Sequence, residues 1–287
     1  MHAGKNDRLV ALFTNSRAGK GKSKNITATI EDFLKRQNIP FITYDRNWPE
    51  EMGHCTEAFI VGGDGTLNYF INRYPSTSLP LTLFRGGSGN DFHFKLYGKI
   101  SLQQNLSIAL SGRTERIDAG SCNGKLFMNG FGMGFDGRIV KSMERRSKLS
   151  AGYLAYLAVV LQHLLFYKET ACTITINGSS RYGRFFMVTV ANGCRYGGGF
   201  MVAPNALIDD GLFDVLTIKK IHPLLRLFHL PRLKKGSHTG LKFVESDLAD
   251  SVLIESMLDV PAHLDGEYIS GTRFELRMHR GKFLFRY

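Results

Sequence analysis

The stretch Ala58-Phe59-Ile60-Val61-Gly62-Gly63-Asp64-Gly65-Thr66-Leu67-Asn68 constrains the fold of this chain more than any other. Its first four residues read as a buried strand, after which Leu67, Phe70 and Ile71 recur at helical spacing. Glycines at a strand-to-helix turn let the backbone approach a ligand closely and take positive φ at little cost. The helix then opens with N–H groups that favour an anion. Asp64 stands among those donors. Alone it would repel a phosphate, but Mg²⁺ between the two turns repulsion into a bridge. The pattern points to a nucleotide phosphate site with a metal ligand. The plainer alternative is a tight turn with a solvated acid.

Two more segments repeat the arrangement. Leu9 to Phe13 reads as a first parallel strand and leads into a loop, Thr14 to Lys22, that carries Gly19, Gly21, Arg17, Lys20 and Lys22. A helix is expected next, with Ser23 as N-cap and Ile26, Ile30, Phe33 and Leu34 on its apolar face. It is not a Walker loop, because Ser16 stands where the first glycine is needed, and an ordinary basic βα-loop reads equally well. Pro40 to Tyr44 gives a second strand and Pro80 to Phe84 a fourth, followed by Arg85-Gly86-Gly87-Ser88-Gly89-Asn90-Asp91-Phe92. In a parallel sheet such turns lie at the carboxyl edge, where ligands bind. Ser88 suits a phosphate or sugar, and Asn90 and Asp91 suit sugar, base or metal-bound water. Ser101 to Leu110 adds a helix.

A chain of 287 residues is long enough for two domains. Near residue 115 short strands and turn signals replace the helices, including Asn123-Gly124 and Asn177-Gly178, so a mostly β second domain is expected. Its loops are rich in glycine: Asn129 to Asp136, Ala191-Asn192-Gly193, and Tyr196 to Met201 with its triple glycine. Asp209-Asp210-Gly211 places adjacent acids on a turn, either solvated or holding Mg²⁺ or Ca²⁺ with turn carbonyls. Asp265-Gly266-Glu267 marks a further turn.

The net charge of +12 favours polyanions, whether nucleic acid, nucleotide phosphate or an anionic membrane, without choosing among them. Cys55, Cys122, Cys172 and Cys194 form no Cys-x-x-Cys pair and, with no signal peptide in view, read as reduced thiols of a cytoplasmic protein. The histidines show no His-Glu-x-x-His arrangement, which argues against a zinc enzyme. Ser150 to Tyr167 is the longest uncharged stretch, but Gln162 and His163 interrupt it, so it reads as a buried or interfacial helix rather than a membrane span. Ile221 to Lys235 mixes leucines and Phe228 with Arg226, Arg232, Lys234 and Lys235 and could lie on anionic lipid. Pro231 is expected to interrupt it, and packing on the core is the commoner outcome for such a helix.

Five pieces in order resemble the diacylglycerol kinase catalytic family, of the same superfamily as sphingosine kinases and NAD kinases. They are Asn15 to Gly21; Gly62 to Asn68; Gly87 to Phe92; Asn192 through Ala203-Pro204 to Leu212; and Asp265 to Glu267. Gly134-Phe135-Asp136 and Gly152 to Tyr156 are similar too. The resemblance implies an α/β plus β fold: a phosphofructokinase-like three-layer α/β domain over residues 1–115, rejoined by the strand 281–287, and a β-sandwich lipid domain over residues 116–280. ATP would lie in the cleft between them. By the same resemblance Asn15, Ser16, Arg17, Ala18, Gly19, Gly62, Gly63, Asp64, Gly65, Thr66, Leu67, Asn68, Ser88 and Asn90 contact the nucleotide. Asp64 holds the ATP-bound Mg²⁺, and Glu267 is the general base for the lipid hydroxyl. Asp210, the carbonyl of Leu212 and, less securely, Asp209 form a structural Mg²⁺ site.

The chain departs from the family at Ser16 and Arg85, where proline is usual, and at Tyr69, where Glu is common. The expected activity is ATP-dependent phosphorylation of a lipid alcohol such as diacylglycerol. Alternatives are a sphingoid-base or ceramide kinase, an NAD kinase, or a non-catalytic nucleotide binder. The expected location is the cytoplasm with peripheral contact at the inner membrane face. A homodimer stays open, and dispersed cations without a recognition motif argue against nucleic acid.

Overall fold

The computed structural model describes residues 8–146 and 153–287, so the first three residues of the apolar stretch beginning at Ser150 lie outside the described residues. The chain divides into two compact units, Met1–Asp118 with Gly281–Tyr287, and Ala119–Arg280.

In the first unit β1 (Val10–Thr14), β2 (Phe41–Asp45), β3 (Glu57–Gly62) and β4 (Leu81–Arg85) form a parallel sheet in the order β4-β3-β1-β2. The end of the chain lies parallel to β4, with Phe285 beside Leu81. β1 and β3 are buried throughout, which explains their unbroken apolar runs, whereas edge strand β2 is half exposed. Helices α1 (Lys22–Arg36), α2 (Asp64–Arg73), α3 (Asp91–Tyr97) and α4 (Leu102–Ser111) connect the strands. Ile30 and Leu34 of α1 join Val10, Leu12, Phe59, Val61 and Phe84 in one core, with Ile26 and Phe33 packed partly buried against it.

Ser23 does not cap α1, contrary to its position in the sequence. Gly21, at φ +90°, holds the N-cap place, and the buried Ser23 hydroxyl instead donates to the Asn15 carbonyl at 2.5 Å. A left-handed turn ahead of α1 moves the helix start two residues upstream and turns Ser23 inward. Ser101 and Gln104 form a reciprocal capping box on α4.

In the second unit β5 (Thr114–Cys122) enters from the first and pairs with β6 (Lys125–Phe127). β7 (Gly130–Gly134), α5 (Phe135–Arg146), α6 (Tyr153–Phe166), β8 (Thr170–Ile176), β9 (Ser179–Ala191) and β10 (Phe213–Lys219) follow. α7 (Pro223–Lys235), β11 (Val244–Ala249), β12 (Ser251–Leu264) and β13 (Glu267–Arg286) complete the chain. β9 and β12 each pair with β8 along their first halves and with β7 along their second. Long strands that change partners in this way fold an antiparallel sheet over on itself. The interior holds Phe131, Ile174, Val188, Phe213, Ile254 and Phe274 among others. The Asn123-Gly124 and Asn177-Gly178 turns take positive φ at both residues, as tight hairpins require.

α7 runs through Pro231 instead of breaking there. Leu227, Leu230 and Leu233 pack against the core on either side of the proline, and that burial outweighs one lost backbone bond. Among the described residues no helix is long and apolar enough to cross a membrane. All four cysteines are buried free thiols, and burial pushes those of Cys122 and Cys172 up to about 12, far from a reactive thiolate.

A buried ion pair ties α7 to α6. Arg226 donates to Glu169 at 2.6 Å and to the carbonyls of Leu164 and Tyr167 at 3.1 and 2.9 Å, so one guanidinium satisfies the end of α6. Removing one partner leaves the other charge buried and unpaired. Arg226→Met is expected to cost about 3–5 kcal/mol in urea denaturation, with much of the loss recovered when Glu169→Met is added.

Each unit also buries a histidine whose pKa lies below its ordinary 6.5, chiefly through desolvation: His93, bonded to Asn105, and His238, bonded to the Val202 carbonyl. Below 6.5 the unfolded chain takes up these protons more readily than the folded one. Their stabilising contribution is therefore full above the ordinary pKa and is lost as pH falls through the folded values. The melting temperature should drop between about pH 7 and 5, and His93→Gln should flatten that dependence.

Candidate active site

Three strand-to-helix turns meet at the carboxyl edge of the first unit's sheet: those after β1, β3 and β4. They interlock through backbone. A Cβ on Gly63 would stand 2.4 Å from the Gly89 carbonyl, and one on Gly87 would stand 2.3 Å from the Gly63 Cα. Gly19, at φ +59°, abuts the Gly86 carbonyl just as closely, and the Gly86 N–H donates to the Gly62 carbonyl at 2.8 Å. These glycines let three loops share one crevice edge, a packing role beyond the backbone freedom expected from sequence.

Asp64 opens α2, and its carboxylate accepts the N–H groups of Asp91 and Phe92, both at 3.0 Å. It therefore anchors the start of α3 and fixes the β4 turn against the β3 turn. Asn15, Arg17, Gly65 and Ser88 are exposed at these turns, with Ser16, Ala18, Gly19 and Gly63 half-buried beside them. The Ser16 N–H is held by Asp45 at 3.1 Å. Other expected contacts are turned inward. Gly62 and Thr66 are buried, Leu67 belongs to the core, and Asn68 is buried against Asn72. Asn90 spends its amide on Gly87, accepting its N–H at 3.1 Å and donating to its carbonyl at 2.8 Å. Tyr69 is exposed and packs edge-on against Trp48 at 5.0 Å.

The second unit presents Glu267, exposed, at the first position of β13. The hairpin turn before it has positive φ at Asp265 (+50°) and Gly266 (+88°). Asp265 holds the turn: its carboxylate accepts the N–H groups of Met128 and Asn129 at 2.8 Å and of Gly130 at 3.0 Å. Asn192 braces the same loop from below, donating to the Met128 carbonyl at 2.7 Å.

Beside this turn the second unit contains a cavity of about 480 Å³. Phe135, Ile139, Met187, Phe200 and Leu233 are among its apolar walls, and Asp136, Tyr196, His263 and Gly266 also line it. Tyr196 donates to the Asp136 carboxylate at 2.7 Å, and the Gly137 N–H reaches its other oxygen at 2.9 Å. The Gly266 N–H donates to His263 Nδ1 at 3.3 Å, and His263 Nε2 faces the Asp136 carboxylate at 3.4 Å. Burial, reinforced by Asp136, pushes the Tyr196 phenol well above its ordinary value, so it stays a hydrogen-bond donor. The sequence marks Asp136 and Tyr196 as parts of glycine-rich, family-like stretches without a role of their own and gives no sign of His263, whose role depends on strand pairing between β7 and β12.

Asp209 is exposed and Asp210 half-buried. Asp210 Oδ1 accepts the Leu212 N–H at 3.0 Å, and Arg280 donates to the Asp210 carbonyl at 2.6 Å. The guanidinium packs so closely that a Cβ on Gly211 would stand 2.3 Å from its Nε. A cation of the chain's own thus sits beside this turn, bonded to the Asp210 main-chain carbonyl. Among the described residues no cluster of three or more His, Cys, Asp or Glu is placed to hold a metal ion.

Comparison with known proteins matches residues 9–122 to the diacylglycerol kinase catalytic domain and residues 130–279 to the YegS C-terminal NAD kinase beta sandwich-like domain. A Shewanella frigidimarina protein named probable lipid kinase YegS-like is 30% identical over 213 residues, covering 72% of this chain and 69% of the relative. A Yersinia pestis protein of the same name is 29% identical over 244 residues, covering 81% and 80%. The crystal structure of a diacylglycerol kinase from Bacillus anthracis superposes with a TM-score of 0.73 at 19% identity, covering 98% of this chain and 97% of that one. At that identity the likeness speaks for the fold alone.

Proposed function

This chain belongs to the lipid kinases built on the diacylglycerol kinase catalytic domain, and from that membership we propose that it transfers the γ-phosphoryl group of ATP to the hydroxyl of a lipid alcohol, diacylglycerol or a related glycerolipid. The observation that carries this reading is the apolar cavity bordering the Gly266-Glu267 turn. It offers a place for a hydrocarbon chain next to a carboxylate that can take a proton.

In this reading the first unit binds the nucleotide. The exposed turns bearing Asn15, Ser16, Arg17, Ala18 and Gly19, then Gly63 and Gly65, then Ser88, face the phosphates. Mg²⁺ arriving with ATP draws most of its ligands from phosphate and water, so one carboxylate of fixed orientation suits it. Asp64, locked by Asp91 and Phe92, would hold the ion there. The ion supplies charge neutralisation on the transferring group. Glu267 of the second unit accepts the alcohol proton as the new O–P bond forms and ADP leaves.

The apolar walls of the cavity would equally receive the single long chain of a sphingoid base, the second reading to be tested beside the first. The deciding experiment offers radiolabelled ATP to diacylglycerol, monoacylglycerol, sphingosine and ceramide in mixed micelles, with NAD as control. Label on a glycerolipid supports the first reading, and label on sphingosine alone supports the second. Label on NAD alone, or ATP binding with no labelled product, overturns both.

A further inference from the structure

We propose that the outward faces of α6 and α7 form a docking surface for an anionic lipid bilayer. Along α6 the exposed positions among the described side chains are Ala158, Leu161, Gln162, Leu165 and Phe166, a stripe at helical spacing with one polar side chain. A helix covering a protein core ordinarily turns charged and polar residues to water along such a stripe. On α7 the exposed positions are Leu224, Leu225, Phe228, Pro231, Arg232, Lys234 and Lys235. Phe166, Leu224 and Phe228 keep 76%, 65% and 67% of their surface open.

The two stripes meet at one corner. Arg226 reaches from the first turn of α7 to the carbonyls of Leu164 and Tyr167 at the end of α6. Leu224 and Leu225 flank that arginine, and Leu165 and Phe166 lie between the two carbonyls it holds. Apolar surface gathered at one place marks an interaction site.

Charge decides the occupant. Neither helix carries an acidic residue, and the last turn of α7 adds Arg232, Lys234 and Lys235, with the Arg232 guanidinium 5.9 Å from the Phe228 ring. Apolar side chains beside cations suit the interface of an anionic membrane, where hydrocarbon enters the acyl boundary and cations meet headgroups. A second copy of the chain is a poorer match, since a two-fold contact through these faces supplies no acid from either helix to meet the cations. The inner faces of the same helices, through Val160, Leu230 and Leu233, line the 480 Å³ cavity. The docking surface and the chain-binding cavity thus share their walls, which would let a lipid pass between them without crossing open water.

The proposal rests on the reading that the acceptor is a membrane lipid, and its test separates the two. The full-length protein, without nucleotide, is sedimented with vesicles of phosphatidylcholine alone or mixed with phosphatidylglycerol. Binding is expected to the mixed vesicles and to fall about tenfold or more in Leu224→Ser/Phe228→Ser. In Arg232→Gln/Lys234→Gln/Lys235→Gln the preference for the anionic vesicles should disappear. These last-turn side chains are exposed, so the second variant keeps the test decisive if the first fails to fold. Both variants should retain turnover on lipid dispersed in detergent micelles. Failure of wild-type protein to sediment, or unchanged binding in both variants, overturns the docking surface. So does a dimer in light scattering that Leu224→Ser/Phe228→Ser dissociates. Loss of micelle turnover in wild type, with vesicle binding intact, would overturn the kinase reading instead.

Discussion

Replacing Glu267 with glutamine should lower turnover by about 10²–10⁴-fold while leaving ATP binding and the melting temperature unchanged. Glutamine keeps the size and one acceptor oxygen of the side chain but cannot take a proton at neutral pH. The turn that carries position 267 does not depend on that carboxylate. Asp265 anchors it through three backbone N–H groups and His263 accepts from Gly266, so the substitution isolates chemistry from architecture. The measurement is steady-state turnover on the best micellar substrate, paired with calorimetric ATP titration. Wild-type turnover in the variant would remove Glu267 from the mechanism.

Asp64→Ala should be more damaging, about 10³-fold or more in turnover, because one side chain serves two purposes. It is the proposed Mg²⁺ ligand, and it receives the N–H groups of Asp91 and Phe92. Losing those charge-assisted bonds should cost about 1–3 kcal/mol of stability and loosen the β4 turn from the β3 turn. Asp64→Asn, with one oxygen left to accept a backbone bond, should recover part of the stability but little of the activity. Turnover that keeps its normal Mg²⁺ dependence in Asp64→Ala would reject the metal role. An unchanged melting temperature would reject the anchoring role.

The strands of the first unit are legible in the sequence because buried parallel strands are unbroken apolar runs, and Leu9 to Phe13 or Pro80 to Phe84 admit little else. The Asn-Gly hairpins are legible for a different reason, since their two left-handed residues leave few chemical choices. What escapes is whatever depends on partners distant in the chain. The inward turn of Asn68 follows from the packing of α2 on the sheet, and a ligand motif looks the same whichever of its polar residues is buried. The self-contained grip of Asn90 on Gly87 is equally silent. Asp136, Tyr196 and His263 converge from three separate segments on one carboxylate. Pro231 is a different kind of case: its local rule is sound, but the burial of its neighbours overrides it.

β13 begins in the second unit, and the segment that follows Arg280 rejoins the first, where Phe283 and Phe285 are fully buried. A ribosome therefore delivers residues 1–118 long before the piece that completes their fold. Until then the flank of β4 stands bare, and the nascent chain must wait with an open apolar seam. Anything that clips or crowds residues 281–287 would strike the portion made earliest rather than the portion made last.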